Sequence, residues 1–190
     1  MDLRTYGDAL KTRRVIHLTG TVDEAMLKVL RTQRDDIFKA SAPAEIIVTL
    51  TTPGGDVDWG YAISDELEAI GCATSMRLLC LGNVCSMGVV IAMAVPRERR
   101  FASRNAVFYV HRGDLTFGGR TSGGPEEQDY AMLERAARLA FCKERHAASL
   151  RCIADGTGLS LEGVTALFDH PEYLTATKSL EKGFVSGIVL

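Results

Sequence analysis

The chain has 190 residues, of which 46% are hydrophobic and 24% charged, and its formal net charge is -2. This composition is typical of one globular domain, and it excludes a broadly basic surface for nucleic acid or an anionic membrane. The longest basic cluster, residues 97–100, contains an acid and indicates a solvated connection. The apolar run at residues 84–95 is too short to span a bilayer.

The cysteines and histidines give no pattern of a metal or disulfide framework. The five cysteines are scattered without a C-x-x-C pair, and the four histidines stand far apart. The first residues show no signal-peptide pattern. We therefore expect a cytoplasmic protein with reduced thiols, no metal and no cofactor.

Strand-length apolar runs alternate with helical patterns along the first half of the chain. Residues 14–18 predict a strand, and Thr21-Val-Asp-Glu24 is a capping-box pattern that predicts a helix towards Ala40. The continuous apolar run at residues 45–50 is typical of a parallel strand covered on both faces. Pro53-Gly54-Gly55 ends this run.

The same alternation continues through the middle of the chain. Residues 57–70 have helical spacing, with a predicted apolar face made of Trp59, Ile63, Leu67 and Ile70. A second buried strand at residues 73–81 leads into a helix that Ser86 opens, and residues 107–111 predict a third strand. This βαβ order predicts an α/β domain.

The pattern changes after residue 112. Residues 113–124 are glycine-rich and polar, and they predict a loop or an irregular strand. Pro125, followed by two glutamates, predicts the start of a helix that continues to about residue 153 and projects beyond the core. Ser160 and Thr175 are predicted N-caps of two shorter helices.

Six short motifs follow one another along the chain: Arg14-Val-Ile-His-Leu-Thr-Gly20, Thr52-Pro-Gly-Gly55, Cys85-Ser-Met-Gly88, Tyr109-Val-His111, Thr157-Gly-Leu-Ser-Leu-Glu162 and Tyr173-Leu-Thr-Ala176. In this order and spacing they resemble the Clp protease proteolytic subunit family of serine peptidases, over about residues 3–190. The resemblance implies an α/β fold, a spiral of βαβ units of the ClpP/crotonase-like type. It also implies one domain at residues 1–190, with a head at about 1–112 and 156–190 and a projecting helical handle at about 113–155.

The resemblance implies that Ser86 is a nucleophile and that His111 is its base. A serine hydroxyl needs a base to take its proton, which a neutral imidazole can do at pH 7. By itself, Ser86 also fits the simpler role of an N-cap. Cys85 is a rival nucleophile, but it stands where the family has a small residue, and we expect it to pack in the core.

The family resemblance also implies a function for the glycine turn after the second strand. The resemblance implies an oxyanion hole formed by the backbone N–H groups of Gly55 and Met87, since glycine lets the main chain approach a ligand. A plain tight turn is the simpler interpretation. A phosphate loop is disfavoured because neither GxGxxG nor a GK[ST] ending is present.

The chain departs from the family at the acid that orients the histidine. The matching position is Pro171, which has no carboxylate. We favour Asp169 as the acid; the alternatives are a site with no acid at all, or Glu172 or another residue. A site without a well-placed acid would be slow.

Assembly and substrate binding are also implied by the resemblance. We expect a homo-oligomer of stacked rings, with peptides or unfolded proteins as substrates. Gly118 and Gly119 are candidates to pair with the substrate main chain, although a loop with no binding function is an equal alternative. The face of the long helix that carries Tyr130, Leu133, Ala137 and Phe141 would interleave with a second ring, or would pack on the core like that of any other helix.

An ATP-dependent unfoldase is a further partner that the resemblance implies, and two departures argue against its recruitment. The sequence begins almost at the family's first helix, where members usually have a pore-lining segment. Ile47 and Thr49 stand where aromatic residues normally line the docking pockets, while Phe101 fits a third pocket position.

Three functions of different classes follow. The first is a barrel-forming serine endopeptidase. The second is a weakly active or inactive scaffold or regulatory subunit of such a barrel, which Pro171 favours. The third is an acyl-CoA enzyme of the crotonase type, and the Ser86 and His111 pair argues against it. We prefer the first.

Overall fold

The computed structural model describes residues 1–40, 42–113 and 125–189. The strands are β1 (Val15–Thr19), β2 (Glu45–Thr52), β3 (Ser75–Cys85), β4 (Arg100–Ser103), β5 (Val107–Tyr109), β6 (Tyr173–Thr175) and β7 (Gly187–Val189). The helices are α1 (Leu3–Lys11), α2 (Glu24–Ala40), α3 (Val57–Ala73), α4 (Met87–Met93), α5 (Pro125–Thr157), α6 (Leu161–Asp169) and α7 (Ala176–Glu181).

The sheet is mostly parallel and divides at β3. Strands β1, β2, β3, β4 and β7 are neighbours in that order, all parallel. Residues 78–80 of β3 pair with β4, whereas residues 83–85 pair with β5, which in turn pairs antiparallel with β6. The carboxyl end of β3, which Ser86 follows, therefore lies beside β5 and not β4.

The predicted α/β architecture is confirmed, together with the fully covered second strand. Residues 46–50 of β2 are all buried, so both faces of this strand are covered. Helices α2, α3 and α4 follow β1, β2 and β3 as the predicted crossovers. Burial on both faces holds the carboxyl ends of β2 and β3 in a fixed relation, and both candidate motifs lie there.

The predicted caps are confirmed for two helices and wrong for one. The Ser160 hydroxyl accepts the Gly163 N–H, and the Thr175 hydroxyl accepts the Lys178 N–H. At α2, however, the Asp23 carboxylate accepts the Met26 N–H at 2.9 Å. The helix begins at Glu24, so Asp23 directly precedes it and is better placed to cap it than Thr21.

Two further expectations are wrong in part. Trp59 is 37% exposed, whereas the apolar side chains after it on α3 are buried, because Trp59 lies in the first turn, at the rim of the core. The expected solvated connection at residues 97–100 holds for Arg97 and Glu98, which are exposed, and is wrong for Arg100, which is completely buried and begins β4. Local charge does not reveal that this arginine has a partner inside the core.

The partners of Arg100 are at the end of α5. One of its guanidinium nitrogens donates to the Gly156 carbonyl, and Arg97 donates to the Thr157 carbonyl at 3.3 Å. Burial lowers the pKa of Arg100 to about 10, so the guanidinium is still charged at neutral pH. Two cations therefore satisfy carbonyl groups at the C-terminus of α5, where the helix dipole favours positive charge.

The helix α5 contacts the rest of the chain mainly through its second half. Ile153 is completely buried, whereas Tyr130, Met132 and Leu133 are each 70% exposed. An apolar face without cover on the same chain is a feature of helices that pack against another copy or partner. Within the described ranges, no helix has the length and apolar character needed to cross a membrane.

Candidate active site

Ser86 is the single residue between β3 and α4, and its backbone is strained. Its φ is 53° and its ψ is -124°, a conformation that non-glycine residues rarely adopt. The Ser86 N–H donates to the Tyr109 carbonyl at 2.8 Å, which fixes the turn to β5. A serine on a strained strand-to-helix turn is the geometry known as a nucleophile elbow, because it presents Oγ at the edge of the sheet.

The alternative role of Ser86 as a helix cap is not supported. Its side chain makes no capping hydrogen bond to α4. A cap residue adopts an extended backbone so that its oxygen faces the first N–H groups, whereas Ser86 has a positive φ. The strain therefore serves the outward presentation of the hydroxyl and not the closure of the helix.

The glycine turn after β2 lies directly against Ser86. A Cβ built at Gly54 would come within 2.5 Å of the Ser86 Cβ and 3.1 Å of its Oγ. Gly55 is equally confined, since a Cβ there would lie 2.4 Å from the Val22 carbonyl oxygen. Both glycines also have positive φ angles, 98° and 156°. Only glycine fits this approach of main chain to the serine.

The backbone around this turn is hydrogen-bonded on one side. The Gly54 carbonyl accepts from Val22 at 2.9 Å, and the Gly54 N–H donates to the Thr52 hydroxyl at 3.0 Å. Among the described residues, no acceptor is recorded for the N–H of Gly55 or for that of Met87. An oxyanion hole requires two backbone N–H groups without another acceptor, and these two remain candidates for that role.

His111 lies two residues beyond the end of β5, which stops at Tyr109, earlier than the predicted strand end. Tyr109 pairs with Cys85 in the sheet, so His111 leaves the sheet beside the turn of Ser86. The imidazole stacks on the Tyr109 ring at a centroid distance of 5.3 Å, and the Tyr109 ring stacks on Tyr173 at 4.4 Å. Among the described residues, no hydrogen bond joins Ser86 to His111.

The tautomer of His111 follows from its one hydrogen bond. Its Nδ1 lies 2.8 Å from the carbonyl oxygen of Arg112. A carbonyl oxygen can only accept, so Nδ1 carries the hydrogen. In the neutral ring Nε2 then has a free lone pair, which is the form a general base needs.

The antiparallel register of β5 and β6 explains the importance of position 171. Val107 pairs with Thr175 and Tyr109 with Tyr173, so that continuing the register sets His111 opposite Pro171. Side chains at opposite positions lie on the same face of a sheet, within about 5.5 Å at Cβ. An acid at position 171 would face the imidazole, and proline leaves this place without a carboxylate.

The two carboxylates nearest to this position have other partners. Asp169, the last residue of α6, accepts from the Arg112 Nε at 3.0 Å and from a second nitrogen of the same guanidinium. Glu172 accepts from Lys178 at 2.7 Å, and this hydrogen bond lowers the pKa of its carboxyl. His111 therefore has a main-chain acceptor, and the assignment of Asp169 as its acid stays a prediction.

Cys85 is a poor rival to Ser86. The residue is 8% exposed, and burial raises the pKa of its thiol above the usual range. The nucleophilic form of cysteine is the thiolate, which this thiol does not reach near neutral pH. The side chain belongs to the buried end of β3.

Two further expectations concern substrate binding and metal sites. Gly118 and Gly119 lie outside the described residues. In the part of the chain that the structure describes, no cluster of three or more histidine, cysteine or acidic residues forms a cation site.

Two features of the site were missed at the sequence level. Arg112 directly follows His111, and its charge next to a candidate base was a usable signal. The stack of Tyr109 on Tyr173 joins two motifs that are more than sixty residues apart, and only the pairing of β5 with β6 brings them together.

Comparisons with known proteins identify the family and the fold. The Clp protease family model matches residues 3–190. ATP-dependent Clp protease proteolytic subunits of Streptococcus pneumoniae (strain 70585) and of Streptococcus agalactiae serotype V are each 30% identical over 184 residues, covering 97% of this chain and 88% of the relative. A mutant ClpP1 structure from Listeria monocytogenes has a TM-score of 0.74 at 21% identity, covering 97% of this chain and 95% of that one. The predicted fold is thereby confirmed.

Proposed function

Since this chain belongs to the Clp protease family, we propose that it is a serine endopeptidase that assembles into a barrel and hydrolyses peptides or unfolded proteins. Ser86 is the nucleophile, His111 is the base, and the N–H groups of Gly55 and Met87 form the oxyanion hole. The observation that carries the proposal is the strained, uncapped Ser86 in contact with Gly54.

The proposed reaction is acyl transfer in two stages. His111 Nε2 takes the Ser86 proton as Oγ attacks the peptide carbonyl carbon, and the oxyanion that forms accepts from the two backbone N–H groups. The imidazolium then protonates the departing amine. Water, deprotonated by the same nitrogen, hydrolyses the acyl-enzyme and restores the serine. Gly118 and Gly119 remain proposed contacts for the substrate main chain.

The apolar face of α5 supports assembly. Tyr130, Met132 and Leu133 are exposed on the protomer, and Phe141 is 46% exposed. Such a face is covered when copies of the chain pack together. Rings that enclose the sites would admit only extended chains, so the proposed substrates are unfolded, and the free thiols of all five cysteines agree with a cytoplasmic setting.

The second candidate is a weakly active or inactive subunit of such a barrel. One observation favours it: position 171 is proline, and the Asp169 carboxylate bonds to Arg112 and not to His111. An ATP-dependent unfoldase remains a proposed partner.

Labelling with a fluorophosphonate separates the two candidates. The purified protein would be incubated with the probe, and its intact mass and tryptic peptides would be measured beside those of Ser86→Ala. One probe per protomer at Ser86 supports the peptidase. An assembled protein that stays unlabelled contradicts it and favours the scaffold.

A further inference from the structure

Arg112 makes two different contacts at the candidate base. Its main-chain carbonyl accepts the Nδ1–H of His111 at 2.8 Å. Its guanidinium binds the Asp169 carboxylate through two nitrogens. One residue therefore supplies the acceptor that the imidazole uses and also holds the carboxylate nearest to it on the helix α6.

Asp169 is within reach of the imidazole in principle. Its carboxylate binds the guanidinium of Arg112, the residue directly after His111. The end of α6 therefore lies beside the segment that carries the imidazole. The carboxylate is kept from the ring by its ion pair.

The ion pair is exposed and easily exchanged. The side chains of Arg112 and Asp169 are 68% and 37% exposed. Ion pairs of this kind add little to stability, because water competes for both partners. A carboxylate that moved from Arg112 to the His111 Nδ1–H would exchange one charge-assisted hydrogen bond for another at small net cost.

We propose that Arg112 is a positioning residue that withholds the Asp169 carboxylate from His111. While the ion pair holds, a neutral carbonyl orients the imidazole, which stabilises the imidazolium less than a carboxylate would. When the pair opens, Asp169 becomes the acceptor of the Nδ1–H bond. This inference rests on the proposed function, since it concerns the base of that site.

Among the residues that the structure describes around His111, Asp169 is the carboxylate we expect to respond. Tyr109 from β5 covers one face of the ring, and Tyr173 from β6 lies behind it. Glu172 is bound to Lys178. The ion pair of Asp169 and Arg112 joins the end of α6 to the residue that follows His111.

The test is a double-mutant cycle on the rate of fluorophosphonate labelling at Ser86, measured between pH 5 and pH 9. Arg112→Gln should label at least tenfold faster than the unmodified protein, and Arg112→Lys, which keeps the charge, should stay close to it. Adding Asp169→Asn should remove the gain. The control is Arg31→Gln, which breaks the ion pair between an exposed arginine of α2 and the less exposed Glu66 of α3, and which should change nothing.

The pH at half-maximal labelling provides a second readout. Release of Asp169 places a negative charge at the imidazole and removes a positive one, so the His111 pKa should rise in Arg112→Gln. In the Asp169→Asn background the same substitution should raise it much less. If the unmodified protein labels at Ser86, an Arg112→Gln protein that labels no faster, or whose gain persists without Asp169, overturns the proposal.

The proposal is also tested if Ser86 never reacts. The His111 pKa can be measured by NMR on protein labelled with ¹³C at the histidine Cε1, with His111→Gln to assign the signal among the four histidines. A rise in Arg112→Gln that requires Asp169 supports the positioning role even if labelling fails, in which case only the proposed function is lost. A His111 pKa that ignores Arg112 overturns the inference while labelling at Ser86 leaves the function intact.

Discussion

Gly54 and Ser86 are in direct contact, so closely that a single added carbon on the glycine would lie 2.5 Å from the Cβ of the serine. The turn after β2 and the turn after β3 are thus built against each other. The contact sets the glycine turn beside the serine that is the candidate nucleophile. Most of the expected outcomes below depend on it.

The first prediction concerns this contact. Gly54→Ala should abolish labelling of Ser86, because its methyl group must displace the serine or the turn. The control is Gly20→Ala, since Gly20 has a similar φ of 104° but no atom within 4 Å of a built Cβ. Both variants carry about 1 kcal/mol of backbone strain, so Gly20→Ala should lose stability and keep its labelling. Equal losses of labelling would show that strain alone is responsible.

The second prediction concerns the strain at Ser86. Ser86→Ala should lose all labelling and any peptidase activity, while its fold is unchanged because the hydroxyl makes no capping bond. Ser86→Gly should also be inactive, but more stable than the alanine variant by about 1 kcal/mol, since glycine accepts this conformation. Apparent melting temperatures at one protein concentration would measure the difference. A glycine variant that melts below the alanine variant would contradict the assigned strain.

The third prediction concerns the vacant acid position. Pro171→Asp should raise the rate of labelling at least tenfold, because the new carboxylate lies opposite His111 in the continued register. Pro171→Asn removes the same proline and adds no charge, so it should show little gain. If asparagine activates as well as aspartate, the benefit comes from the freed backbone and not from the acid.

The fourth prediction separates the two neighbouring nucleophiles. Burial raises the pKa of Cys85, so its thiol is protonated at pH 8 and should react with iodoacetamide far more slowly than the exposed Cys72. Above its raised pKa the difference should shrink, and in denaturant it should vanish. Cys85→Ala should retain labelling at Ser86 within a few-fold. Loss of labelling in a folded Cys85→Ala protein would reopen the choice of nucleophile.

The fifth prediction concerns assembly. Leu133→Glu places a charge on the exposed apolar face of α5. It should raise the protein concentration needed for assembly at least tenfold, so that mass photometry detects smaller species. Arg138→Glu, about 140° around the same helix, is the control and should assemble more nearly as the unmodified chain does. A Leu133→Glu protein of unchanged mass would show that this face is not an interface between copies.

The sequence was informative wherever a local pattern sufficed. The continuous apolar run of β2 predicted burial on both faces, and hydroxyl residues before α6 and α7 predicted their caps. The strands β4, β6 and β7 were not predicted, because each has only three or four residues and is stabilised by its neighbours in the sheet. Arg100 was misassigned because the carbonyl that accepts from its guanidinium, that of Gly156, lies more than fifty residues away in the chain.

The candidate site shows the same division. Motifs indicated Ser86 and His111 through the family resemblance, and the glycine turn followed from its composition. The acid could not be assigned, because its identity depends on the register of β5 against β6 and on where the last turn of α6 ends. The ion pair of Arg112 with Asp169 is a tertiary contact that no spacing encodes.

The hydrogen bond from the Ser86 N–H to the Tyr109 carbonyl has a mechanical consequence. The turn that carries the Ser86 hydroxyl is hydrogen-bonded to the last residue of β5, two residues before His111. A displacement of β5 therefore moves both groups together. A carboxylate that orients His111 would come from the end of α6 or from the residues before β6, so this hydrogen bond does not hold it. In the proposed site, a change at the acid can therefore alter the reaction rate, while the proposed nucleophile and base keep their mutual geometry.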